Sequence, residues 1–272
     1  TGKSIAVAGA ALTGADAGNY YLNTISASGD ITKANLTVTA TAASKTYDGL
    51  AYAGGNGVTY SGLVNGETSA VLGGSLAYGG TAQGAINVGT YAIAPSGLTS
   101  ANYAISYATG ALTVGKAALT ITATDVVKTY GQAVTLSAYA VAGLQNGETL
   151  GSITLTSSGA AATAGVAGSP YAIVPSAATG GTFSAANYQI GYVNGTLTVN
   201  KAALTVTATA ASKNYNGLAY SGGNGVTYSG FVNSETSASL GGSLTYGGTA
   251  QGAVNAGAYA ITPAGLTSAN YA

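Results

Sequence analysis

Three triplets of side chains in this sequence could do covalent chemistry: Lys45, Glu67 and Asn102; Lys128, Glu148 and Asn187; Lys213, Glu235 and Asn270. In each, a lysine stands early in a stretch of some 84 residues, an asparagine late in it and a glutamate between them. Burial in an apolar interior would lower the lysine pKa and raise that of the glutamate. A neutral amine could then attack the asparagine amide while the glutamic acid passes the proton. The product would be an intramolecular isopeptide bond, formed with loss of ammonia, that resists pulling. The plainer reading has lysine and glutamate solvated or weakly paired, worth about 0–1 kcal/mol, with the asparagine in a turn. Intact mass separates the two.

Other chemistry finds few residues to work with. The chain has 272 residues, 7 lysines, no arginine, 7 acids and a formal net charge of zero. No basic face exists to displace counterions from a nucleic acid, so no nucleic-acid partner is expected, and no polybasic patch faces a membrane. Cysteine and histidine are absent, which removes the ordinary ligands for zinc, copper and haem. It also leaves the plentiful serines and threonines without a histidine to activate them. No Asp-rich calcium loop occurs. Asp48 becomes Asn216 in a near-identical copy and Gly131 in another, so it reads as a turn residue. No enzyme, cofactor or metal site is expected, and no apolar run approaches the roughly 18 residues of a membrane span.

The elements that would position the triplets come from an internal repeat. Leu36–Ala104 recurs without a gap as Leu204–Ala272, with 57 of 69 positions identical. A divergent copy lies between them. Lys45-Thr46-Tyr47 returns as Lys128-Thr129-Tyr130 and Lys213-Asn214-Tyr215, and Asn65-Gly66-Glu67-Thr68 as Asn146-Gly147-Glu148-Thr149 and Asn233-Ser234-Glu235-Thr236. Asn102-Tyr103 returns as Asn187-Tyr188 and Asn270-Tyr271. The expected domains are the end of a preceding module (1–34), module A (35–117), module B (118–202) and a second copy of A (203–272) without its last strands. A unit of this size can close its own small core, unlike a solenoid rung.

Within a unit, Leu36, Val38 and Ala40 alternate with Thr37 and Thr39, the period of a half-buried strand. Tyr91–Ala94, Tyr103–Tyr107 and Ala111–Val114 read as further strands. Asp48-Gly49, Asn65-Gly66, Gly73-Gly74, Gly79-Gly80 and Asn194-Gly195 read as turns, a spacing that suits a sandwich or small barrel. One helical turn is expected near Asn65–Ser69, with Asn65 as its cap. The recurring tyrosines are expected in the core with their hydroxyls at its rim, whereas Tyr52, Tyr220 and Tyr139 are better placed to stack on carbohydrate. The Gly115-Lys116-Ala117-Ala118 link is too short for neighbouring modules to swing freely, so a semi-rigid rod is expected.

The ordered motifs LTVTA, KTYDG, GLVNGET, GTYAI, NYAISY and GALTVGKA resemble the MBG/YDG repeat modules of large bacterial surface proteins of the filamentous-haemagglutinin-like adhesin kind. The resemblance implies an all-β tandem array of small β-sandwich modules, immunoglobulin-like or alternatively β-grasp-like, forming an elongated rod. It implies an extracellular location at the bacterial cell surface and a structural role as stalk or adhesin in cell adhesion or biofilm matrix. A subunit of a self-assembling filament or sheath, and a glycan- or protein-binding module, are the alternatives. The expected partners are neighbouring repeats of the same chain, then like chains in a filament, then a surface glycan or protein.

Overall fold

The computed structural model describes residues 2–6, 8–23 and 26–272; Thr1, Val7, Thr24 and Ile25, in the stretch expected to end a preceding module, lie outside the described residues. The chain forms two compact units, Thr1–Lys116 and Ala117–Ala272.

In the first unit, β1 (Lys3–Ala6) pairs antiparallel with β2 (Ser26–Gly29). Module A follows as β3 (Ala34–Ala40), β4 (Ala43–Thr46), β5 (Val58–Ser61), β6 (Gly73–Gly79), β7 (Gly89–Thr99), β8 (Tyr103–Ala108) and β9 (Gly110–Gly115). These make a three-stranded sheet, β5-β3-β8, and a four-stranded sheet, β4-β9-β7-β6. Thr41 and Ala42 carry the chain from one sheet to the other, so β3 runs parallel to β8 and β4 parallel to β9. The threonine alternation explains why one face turns inward: Leu36, Val38 and Ala40 are buried while Thr37 and Thr39 are half-buried. Leu112 and Val114 of β9 and Ile93 of β7 are buried as well. Each such side chain contributes about 1.5–3 kcal/mol on leaving water.

Two local expectations are corrected. Gly73-Gly74 lies in strand β6 and makes no turn, whereas Gly79 ends that strand and Gly80 opens the expected turn, its carbonyl accepting from Gln83 N at 3.3 Å. The β6–β7 register shifts between Gly74 and Ala77. A Cβ on Gly74, whose φ is +78°, would stand 2.2 Å from the Gly97 carbonyl oxygen. Gly74 therefore serves a close approach of two backbones at a bulge. The helical turn is a 3₁₀ turn at Ser69–Val71 capped by Thr68. Asn65 instead adopts φ +54° in the preceding turn, and a residue in the left-handed region cannot act as a helix N-cap.

The second unit repeats the plan. Module B comprises β10 (Ala117–Ala123), β11 (Val126–Thr129), β12 (Tyr139–Ala142), β13 (Leu150–Thr156), β14 (Tyr171–Gly181), β15 (Tyr188–Val193) and β16 (Gly195–Asn200). Its sheets are β12-β10-β15 and β11-β16-β14-β13. The third repeat holds β17 (Thr205–Ala208), β18 (Val226–Ser229), β19 (Gly241–Gly247) and β20 (Thr262–Thr267), paired β17-β18 and β19-β20. Between residues 211–214 and 258–261 runs a groove of about 430 Å³. The corresponding place is filled by β9 in module A and by β16 in module B.

Candidate functional site at a module joint

The topology fixes what stands at each end of a module. The first strand enters beside the tyrosine of Asn-Tyr: Ala117 pairs in parallel with Tyr188, and Ala34 with Tyr103. This end is the head. The last strand leaves beside the tyrosine of Lys-x-Tyr: the Tyr130 amide donates to Asn200 O at 2.9 Å, and the Tyr47 amide to Gly115 O at 2.8 Å. This end is the tail. In the second unit Asn200 ends module B, and Ala202 opens the third repeat beside Tyr271. One residue, Lys201, separates them, about 7 Å of chain between the flanking Cα atoms. The tail tyrosine of one module and the head tyrosine of the next are thereby forced together.

Tyr130 and Tyr271 meet edge to face with ring centroids 5.7 Å apart, and Phe231 meets Tyr271 the same way at 5.4 Å. Both tyrosines are 4 % exposed. The Glu235 carboxylate accepts from both hydroxyls, from Tyr130 at 2.7 Å and from Tyr271 in a short bond. That bond to Glu235, then burial, holds the Tyr130 hydroxyl above the usual tyrosine pKa. For Tyr271 burial is the larger cause and the Glu235 bond the next. Three further bonds close the joint. Val166 N donates to Asn270 Oδ1 at 3.0 Å, Asn233 Nδ2 donates to Ala162 O at 3.1 Å, and Lys201 Nζ reaches Ser268 O at 2.9 Å. One buried apolar cluster runs from Ile173, Leu197 and Val199 in module B through Tyr130 to Tyr271, with Phe231, Val232 and Leu240 packed against it. In the second unit the cluster therefore crosses from one module into the next, whereas in module A the cluster of Leu36, Val38 and Tyr103 closes within the module as expected.

The structure sends the members of each triplet to different ends. Lys45 Nζ donates to Leu50 O at 2.7 Å and pairs with Asp48 at 2.7 Å. Lys213 donates to Leu218 O. Lys128, 3 % exposed, donates to Gln132 O at 3.0 Å and in a short bond to Ala161 O; burial depresses its pKa. The glutamates bind the tyrosine beside the triplet's asparagine: Glu67 with Tyr103, Glu148 with Tyr188, Glu235 with Tyr271. Asn187 is buried, Asn102 exposed, and Asn270 reaches into module B. In the second unit the motifs are reunited across the joint. Lys128 braces Ala161, and the adjoining Ala162 carbonyl accepts both Gly131 N and Asn233 Nδ2.

The profile of the MBG domain, YGX type, matches the chain three times in tandem, at residues 36–113, 119–198 and 204–272. The chain belongs to the MBG domain family. No curated protein and no solved structure matches it. The joint thus lies between the second and third MBG matches, and its two tyrosines, its glutamate and Asn270 have counterparts in each.

Sequence reasoning singled out Lys128, Glu235 and Asn270 for another chemistry and placed the tyrosines only as core residues. It passed over Asn233 and Gly131. A usable signal was present: the three motifs recur together, and two of them fall on opposite sides of the Lys-Ala link where strands abut.

Proposed function

We propose that this MBG array is a load-bearing segment of a secreted bacterial surface protein, a stalk that acts in adhesion or biofilm matrix and does no catalysis. The observation that carries the reading is the Tyr130–Glu235–Tyr271 joint. It ties module B to the third repeat by side chains beside a one-residue link, so tension on one passes to the other through both backbone and packed rings. A segment that only displayed separate binding sites would have no need of a shared core across a one-residue link. The extracellular placement rests on the resemblance to modules of adhesins.

The test is single-molecule pulling on the whole chain held at its two ends. Residues 117–272 should yield as one cooperative event, and Glu235→Ala should divide that event into two weaker ones. An unaltered force pattern in Glu235→Ala would remove the mechanical role from the joint.

A further inference from the structure

The modules alternate A–B–A, and the joint offers a steric reason. Gly131, next to the tail tyrosine of module B, has φ +90°, and a Cβ built on it would lie 2.5 Å from Val232 Cγ2 and 2.6 Å from Val232 Cβ. Valine packs into the space that the glycine leaves open. Its counterpart in module A, Val64, is 52 % exposed, whereas Val232 is half-buried against the cluster that contains Tyr130. The two A copies are nearly identical, so the difference in burial comes from what covers the valine.

A tail of A type is built differently. After its tyrosine stands Asp48, or Asn216 in the second copy, and that side chain folds back on its own loop. Leu50 N donates to Asp48 Oδ1 at 2.9 Å, and Leu218 N to Asn216 Oδ1 at 3.1 Å. A head of B type carries Gln145 where A heads carry Val64 and Val232, and its amide turns inward to Gly143 O at 3.0 Å. Small tail residue and valine head therefore meet within the second unit.

We propose that module order is encoded at the joint: a B tail with glycine at position 131 selects an A head with valine at position 232, and A tails reject A heads. The partner recognised is a second MBG module, discriminated by two side-chain positions. The inference concerns order and stands independently of whether the array bears load.

The experiment is NMR-detected hydrogen exchange on the full chain, read at the Val166 amide, whose bond to Asn270 crosses the joint. Gly131→Ala should speed its exchange about tenfold or more, equivalent to about 1.4 kcal/mol. Adding Val232→Ala to the same chain should slow the exchange again by about threefold or more relative to Gly131→Ala alone. Strain from alanine at positive φ survives the second change, so the part that recovers identifies the steric match. Val232→Gln, which puts a B head on a B tail, should also speed exchange while leaving the Tyr103 end of module A unaltered. Unchanged exchange in Gly131→Ala, no recovery in the double variant, or unchanged exchange in Val232→Gln would each overturn the code.

Discussion

Tyr130 gives its hydroxyl proton to Glu235, 105 positions along the chain and in the next module, at 2.7 Å. The same carboxylate also accepts a hydrogen bond from the Tyr271 hydroxyl. One acid thus satisfies two buried phenols from two modules. Removing it takes the carboxylate from both and leaves Tyr271 only the distant Val232 carbonyl oxygen at 3.4 Å as acceptor, and a buried polar group poorly satisfied in this way costs about 1–3 kcal/mol. Glu235→Ala is expected to destabilise the second unit by about 2–4 kcal/mol in chemical denaturation. Glu67→Ala, which releases the single tyrosine Tyr103, should cost about half as much. Equal losses at the two positions would show that the bond to Tyr130 contributes nothing.

The pH dependence follows from the same bonds. Tyr130 and Tyr271 are held above the ordinary tyrosine value, the first mainly by Glu235 and the second mainly by burial. The unfolded chain, with tyrosines near pKa about 10, therefore loses these protons first. The stabilisation is whole below pH about 10 and is lost as pH rises through the folded values. Lys128 runs the other way. Its folded value is depressed by burial, so its contribution grows as pH climbs from that value toward about 10.4. Melting followed by circular dichroism should be nearly flat between pH about 7 and 9.5 and fall above about 10. The fall should be shallower in Tyr130→Phe. An equally steep fall in that variant would place the alkaline sensitivity elsewhere.

Lysine substitutions separate bracing from surface pairing. Lys128 is buried and binds two carbonyl oxygens, so Lys128→Ala takes the donor from Gln132 O and leaves Ala161 O only the Ala164 amide at 3.1 Å, with an expected loss of about 1–3 kcal/mol. Breaking the Lys45–Asp48 pair with Asp48→Ala should cost under about 1 kcal/mol, since the Asp48 side chain is 44 % exposed. Intact mass belongs to the same experiment. With Lys128 held by carbonyls and Glu235 by tyrosines, the measured mass should equal that of the sequence with no ammonia lost. A deficit of one ammonia per module would restore the cross-link.

The alternation of Leu36, Val38 and Ala40 with threonine was enough to read β3, and the same period gave β8, β9 and β10. It failed at β6, where Gly73 and Gly74 carry no side-chain period and Gly74 marks a backbone contact that only the facing strand explains. The site was half legible. Lys128, Glu235 and Asn270 stand out by recurrence, which reveals that a position matters but not which module its partner is in. Tyr130 and Tyr271 meet only because strand direction places the tail of one module one residue from the head of the next. That is a property of topology, and the spacing of residues within a single repeat does not contain it.

The groove of the third repeat should accept a strand. It lies between residues 211–214 and 258–261, and the corresponding place in modules A and B holds Gly110–Gly115 and Gly195–Asn200. In both, the seated strand runs parallel to one neighbour and antiparallel to the other, and buries its third and fifth residues, Leu112 and Val114 or Leu197 and Val199. A synthetic peptide with the sequence of residues 108–116 therefore has a defined register, with its leucine and valine facing Ala250 and Ile261 in the groove wall. Burying two such side chains contributes about 3–6 kcal/mol before the cost of ordering the peptide. A dissociation constant in the micromolar to millimolar range is expected by calorimetry, with Tyr215, now 71 % exposed, becoming protected from iodination. The same peptide with both apolar residues changed to serine should not bind. Equal binding of the two peptides would mean that the groove recognises backbone alone and that the Leu-Thr-Val pattern of the last strand carries no selectivity.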